Sequence, residues 1–116
     1  YIQPGGNWTD IPDELLPKGM QKARKSDHTK RYGRVLPDGL ASTILTKCDP
    51  HWGAFFHYEQ DRSFTVREAA RLQSFPDHFV FTGKLAEQFA QVGNAVPPLL
   101  AQAVGLSLCS ILETED

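Results

Sequence analysis

Apolar and polar positions change rhythm near Thr65, running in short β-branched or aromatic patches before it and recurring about every 3.6 residues after it. Residues 1–8 are rich in Gly and Pro and read as a loop. Residues 10–16 hold a short helical turn, with acidic residues near its start and Pro17 stopping it. Residues 18–30 are polar and basic without a period, which predicts a mobile loop containing at most a helical turn. Residues 31–36 predict a short strand, and Pro37-Asp38-Gly39 a turn into a second strand over 40–47 that carries Thr43, Ile44 and Thr46. The pair reads as a hairpin, and residues 54–58 as a further strand after a loop over 48–53. Beyond Thr65 three helices are predicted. The first opens on a Thr65/Glu68 capping box, buries Val66, Ala69, Ala70 and Leu72, and ends at Phe75-Pro76. The second spans 84–90 and the third 97–113. In the third, Leu100, Val104, Leu108 and Ile111 share one face, while Leu99, Ala103, Leu106 and Leu112 widen it beyond a stripe. Such a helix calls for cover on more than one side.

With 116 residues, 41% hydrophobic and 22% charged, the chain is one small domain whose core is marginal without a partner surface. It starts at Tyr1 rather than Met, as a fragment would. No apolar run looks long enough to span a bilayer and no signal-peptide pattern is present, so no membrane partner and an intracellular setting are expected. Cys48 and Cys109 are unpatterned, which suits a reducing compartment. Cys48, His51 and His57 match no strong zinc spacing, and no metal site is expected. Residues 1–34 carry seven Lys or Arg against four Asp or Glu, a net +3, and residues 35–116 carry five against ten, a net −5. Lys18, Lys22, Arg24, Lys25, Lys30 and Arg31 form a local cluster that can neutralise phosphates or simply face solvent.

The run Gln91-Val92-Gly93-Asn94-Ala95-Val96-Pro97-Pro98 joins a Gly-Asn pair, tolerant of positive φ, to two prolines that pre-set a first helical turn. A loop at a helix N-terminus with unpaired N–H groups follows, able to hold a polar or anionic part of a small molecule. An ordinary helix start has the same local pattern.

Together with Thr65-Val66-Arg67-Glu68-Ala69-Ala70-Arg71-Leu72-Gln73-Ser74-Phe75-Pro76-Asp77-His78-Phe79, this run resembles the last two motifs of the DNA (cytosine-5) methyltransferases. Gly39-Leu40-Ala41-Ser42-Thr43-Ile44, His57-Tyr58-Glu59-Gln60-Asp61-Arg62 and the start Gln3-Pro4-Gly5-Gly6-Asn7-Trp8 fit the same family in the same order. The family's Gly-rich cofactor loop, Pro-Cys nucleophile and Glu-Asn-Val motif do not occur, so no catalytic residue is assigned, and the resemblance implies a C-terminal piece. The fold class it implies is an α+β fragment, short antiparallel strands followed by three helices, normally completing a Rossmann-like methyltransferase domain. Residues 1–62 would end the target-recognition region, and residues 63–116 would carry the last two motifs.

By position in that family, Asn94, Ala95 and Val96 would contact S-adenosyl-L-methionine, with a helix N-terminus to receive its methionine carboxylate. Thr43 would contact the backbone of double-stranded DNA near a flipped cytosine, although strand propensity alone explains a threonine there. Arg67 and Glu68 would brace the recognition region, Arg67 through its multi-donor fork. The implied partners are DNA and the missing N-terminal catalytic half, which holds the thiolate. The implied setting is the bacterial cytoplasm (nucleoid), where restriction-modification enzymes work, or the eukaryotic nucleus. The family's tRNA-methylating branch and a non-catalytic scaffold of the same fold are the alternatives.

Overall fold

The computed structural model describes residues 1–114; residues 115 and 116, the end of the expected 63–116 segment, lie outside the described residues. The chain divides into two compact units, one of Tyr1–Thr43 with Cys48–Thr65, the other of Ile44–Lys47 with the described residues from Val66 onward.

The first unit is built on turns. Asn7 caps a 3-10 turn over Trp8–Asp10: its Oδ1 accepts the Thr9 N–H at 2.9 Å, and the Asp10 carboxylate accepts the Asn7 N–H at 3.2 Å. A second 3-10 turn spans Asp13–Leu15, and α1, Lys18–Gln21, occupies the start of the stretch expected to be loop. These turns gather Trp8, Leu16 and Met20 into one apolar cluster, flanked by Ile11, Ala23 and Tyr32. The buried Trp8 indole N–H donates to Asp27 O at 3.1 Å, so its polar end is satisfied.

Arg34 ties the distant parts of this unit together. Its Nε donates to Ile2 O at 2.7 Å, its Nη1 to His57 O at 2.6 Å and Gln60 O at 2.9 Å, and its Nη2 to Asp61 Oδ1 at 2.7 Å. Its guanidinium also lies 5.8 Å from the centre of the Phe56 ring. A planar five-donor fork suits this: three carbonyls and a carboxylate converge on one cation whose side chain is only 11% exposed.

The expected antiparallel strands are not there. Among the described residues no strand forms, and pairing is limited to single bridges, Arg34 with Phe56 in parallel and Phe56 with Ser63 antiparallel. Over 31–36 the reason is Tyr32, whose φ of 50° breaks an extended run. The segment then spends its hydrogen bonds on loops: Trp8 N–H donates to Arg31 O and Gly5 N–H to Arg34 O. Nor do residues 40–47 pair back across Pro37-Asp38-Gly39, although the turn itself closes with Gly39 N–H on Leu36 O at 3.2 Å. Their last part, Ile44–Lys47, is drawn into the second unit instead. The β-branched residues of 40–47 thus did not produce a strand: strand propensity needs a partner ladder, and none forms among the described residues.

The second unit is helical, as the 3.6-residue period requires. α2 is Val66–Leu72, α3 Leu85–Asn94 and α4 Pro98–Thr114. α2 packs on α3, and Ala69, Ala70 and Val92 are completely buried. Phe75, Phe79 and Phe81 follow α2 with ring centres 5.0 to 5.1 Å apart. At the start of α3, Glu87 accepts the Lys84 N–H at 2.7 Å, while Gly83 takes a φ of 97° just before it. α4 has no buried residue; Leu99, Leu100, Val104, Leu106, Leu108, Ile111 and Leu112 are all more than half exposed.

Taken together, Leu85–Thr114 is long enough, and its most apolar 18-residue window at a mean hydropathy of 1.7 apolar enough, to meet the length and composition requirement for crossing a membrane. The sequence pattern implied no such run. The helix nevertheless breaks at Ala95, and α4 alone has 17 residues, about 25 Å, against a hydrocarbon core of about 30 Å.

Candidate functional site

The Gln-Val-Gly-Asn-Ala-Val-Pro-Pro run is built differently from its sequence pattern. Neither Gly93 nor Asn94 has a positive φ; both continue α3 for four residues beyond the expected end at 90. The turn falls on Ala95, extended at φ −76° and ψ 146°, and on Val96 and Pro97 before α4 begins. Gly93 is required for space instead. A Cβ there would lie 2.5 Å from Thr46 N and closer still to the Leu45 carbonyl, so the backbone of residues 45–46 rests directly on this glycine.

Asn94 is exposed, Ala95 is half-buried and Val96 is 64% exposed. Together they present one amide side chain and one apolar surface around a small residue. The helix start behind them offers less to an anion than expected. Pro97 and Pro98 have no N–H, and the Leu99 N–H is already donated to Ser74 Oγ at 3.1 Å. The first three residues from Pro97 therefore leave no free N–H for an anion.

Two residues to which the sequence pattern assigned no role hold this loop. The Gln73 side-chain amide donates to Val92 O at 3.0 Å and Ala95 O at 3.3 Å. Ser74, next to it, ends α2: its N–H reaches Arg71 O and the Phe75 N–H reaches Ala70 O, both at 2.9 Å. This is a Schellman closure with Ser74 at the left-handed position, φ 63°. The available signal was a serine where a helix of this kind usually ends on glycine.

Arg67 and Glu68 are half-buried on α2 in the same unit as the loop. Arg67 Nη2 donates to Phe79 O at 2.7 Å and its guanidinium lies 5.7 Å from the Phe81 ring centre, so it braces the 79–81 segment. Its Nη1 is buried without a partner. Arg71 makes a two-pronged pair with Asp77, Nε to Oδ1 and Nη2 to Oδ2 at 2.9 Å each, on the surface. That hydrogen-bonded guanidinium holds the Asp77 carboxyl below the ordinary carboxylate range and raises the Arg71 value in turn.

Thr43 is exposed and belongs to the first unit, immediately before the buried Ile44 of the second. Of the basic cluster, Lys18, Lys22, Arg24, Lys25 and Lys30 are exposed, with Lys25 3.5 Å from Asp13. Arg31 is drawn in, 5.1 Å from the Trp52 ring centre, with a buried Nε that has no partner. It borders a cavity of about 360 Å³ floored by Trp8, Met20 and Ala23, with His28 and His51 among the other lining residues. His57 Nδ1 accepts the Glu59 and Gln60 N–H groups at 3.1 Å, so this histidine organises its own turn. Burial pushes the Cys48 thiol up to about 11.

Comparison with known proteins agrees with the motif order. Residues 4–110 match the family described as C-5 cytosine-specific DNA methylase. DNA (cytosine-5)-methyltransferase 3 of Arabidopsis thaliana is 40% identical over 127 aligned positions, covering 97% of this chain and 9% of the plant protein. Type II methyltransferase M1.HphI of Haemophilus parahaemolyticus is 46% identical over 104 positions, covering 90% of this chain and 25% of its own. Type II methylase M.HgiDII of Herpetosiphon aurantiacus is 39% identical over 115 positions, covering 95% and 32%. The chain thus spans a tenth to a third of the length of these relatives. With motifs in the family's order, helices where those motifs require them and relatives from the DNA-methylating branch, this chain belongs to the C-5 cytosine-specific DNA methylase family.

Proposed function

We propose that this chain is the C-terminal part of an enzyme that methylates carbon 5 of cytosine in double-stranded DNA, using S-adenosyl-L-methionine. In this reading residues 1–62 close the target-recognition region and residues 63–116 carry the last two motifs. The match of residues 4–110 to the family carries the proposal. The cofactor supplies the methyl group; the cysteine nucleophile belongs to the N-terminal half, the chain's principal partner.

What these residues contribute is binding and orientation. Asn94 offers an amide to the polar part of the cofactor, Ala95 admits close approach, and Val96 excludes water beside it. The exposure of Asn94 and Val96 fits one wall of a shared pocket. The Leu99 N–H at the start of α4 is spent on Ser74, so it would not be the group that receives the methionine carboxylate. Thr43 contributes a phosphate contact that sets register without reading sequence. Arg67 and Glu68 brace the recognition region, and the unpartnered Arg67 Nη1 supports this by marking a donor that still needs an acceptor. In this reading the protein acts where genomic DNA is, in the bacterial cytoplasm or the eukaryotic nucleus.

In the whole enzyme, Asn94→Ala is expected to weaken cofactor binding several-fold while leaving DNA affinity nearly unchanged. Isothermal titration showing the reverse order would remove the loop from the cofactor site. Residues 1–116 alone should incorporate no label from a tritiated methyl donor into DNA, and turnover by them would refute the division of labour.

A further inference from the structure

We infer that Gln73 and Ser74 are positioning residues for the Asn94–Val96 loop, clamping it from both ends; the inference rests on the cofactor reading of that loop. The Gln73 amide has two N–H donors, and Val92 O and Ala95 O are two acceptors that straddle the end of α3. Because both partners are carbonyls, only the nitrogen end of the amide can face them. This fixes where the chain leaves α3 and hence the direction of Ala95 and Val96. One residue on, Ser74 Oγ accepts the Leu99 N–H and fixes where α4 starts. The three residues between, 95 to 97, are left little freedom.

The backbone of Ser74 strengthens the case. At φ 63° a glycine would be unstrained, whereas an L side chain is disfavoured. The position keeps a side chain, and its hydroxyl reaches α4. A helix end that only had to stop α2 would need no hydroxyl. The clamp thus links the helix carrying Arg67 to the loop expected to meet the cofactor, through hydrogen bonds 19 to 25 residues apart in sequence.

Gln73→Glu tests this in the full-length enzyme, since a carboxylate nearly the same size turns acceptors toward two carbonyls. The dissociation constant for S-adenosyl-L-methionine should rise about tenfold, the size that one or two lost hydrogen bonds produce. DNA affinity should stay within about twofold, and Gln73→Lys, whose ammonium can again donate to both carbonyls, should recover most of the loss. If Gln73→Glu does not fold, Gln73→Met removes the donors without repulsion and should weaken cofactor binding about three- to fivefold. Asn94→Ala and Val96→Ala are measured in parallel. Should they weaken cofactor binding while the Gln73 variants do not, the positioning role falls and the loop reading survives. Should none of them affect it, both fall. Equal losses in cofactor and DNA affinity that Gln73→Lys fails to restore would reduce Gln73 to a general structural role and overturn the inference.

Discussion

Gly93→Ala is the most direct way to ask whether the loop is held as described. A methyl group at this position would lie 2.5 Å from Thr46 N and nearer still to the Leu45 carbonyl, where ordinary contact begins at 3.4 Å. Close to an ångström must be found, and both opposing groups are backbone, so no rotamer change relieves the clash. Forcing an added methyl into packed surroundings costs about 1–3 kcal/mol. Against this, removing a glycine from a helix gains about 0.5–1 kcal/mol, and less so near the end of α3. The clash wins, leaving a net loss of about 1–2 kcal/mol. Because Ala95 and Val96 follow within three residues, the displacement should also raise the cofactor dissociation constant several-fold. Urea unfolding of the full-length protein, with cofactor titration beside it, reads both effects. Gly19→Ala is the control, since a Cβ there meets nothing within 4 Å and should be neutral or mildly stabilising. If Gly93→Ala proves as harmless as Gly19→Ala, residues 45–46 do not press on α3.

Other residues allow equally concrete checks. Arg34→Ala removes a cation that satisfies three carbonyls and the Asp61 carboxylate, and should cost about 3 kcal/mol in urea unfolding; a loss under about 0.5 kcal/mol would show that water replaces it freely. Cys48, its thiol held protonated up to about 11, should alkylate far more slowly at pH 8 than the exposed Cys109, as peptide mass spectrometry can show. A raised folded value means that the unfolded chain loses its thiol proton first. Stability from this group is therefore complete below the ordinary thiol range and drains away as pH rises toward about 11. For Asp77 the sign is opposite: its lowered value gives a contribution present above the ordinary carboxylate range and lost as pH falls through the folded value. Carboxyl carbon NMR should find its midpoint below that of a free aspartate, and Arg71→Ala should bring it back up; an unchanged midpoint would refute the pairing.

Local pattern was enough for the helices, because α2, α3 and α4 each carry their period within their own residues. It also located the loop, since two prolines stop one helix and start another. It failed where the deciding partner is far away in sequence. Gly93 reads as a turn residue until the backbone of residues 45–46 is seen lying on it, and Gln73 looks like one more helical glutamine until its amide meets Val92 and Ala95. Residues 31–36 have strand composition, but the positive φ of Tyr32 and the competing loop hydrogen bonds were invisible. Arg34 was counted only as a charge, because nothing nearby in sequence reveals acceptors at positions 2, 57, 60 and 61.

With seven large apolar side chains of α4 more than half exposed, these residues carry a broad uncovered apolar surface. Expressed by themselves, they should stick to one another as concentration rises, and a companion polypeptide or mild detergent would keep them dispersed.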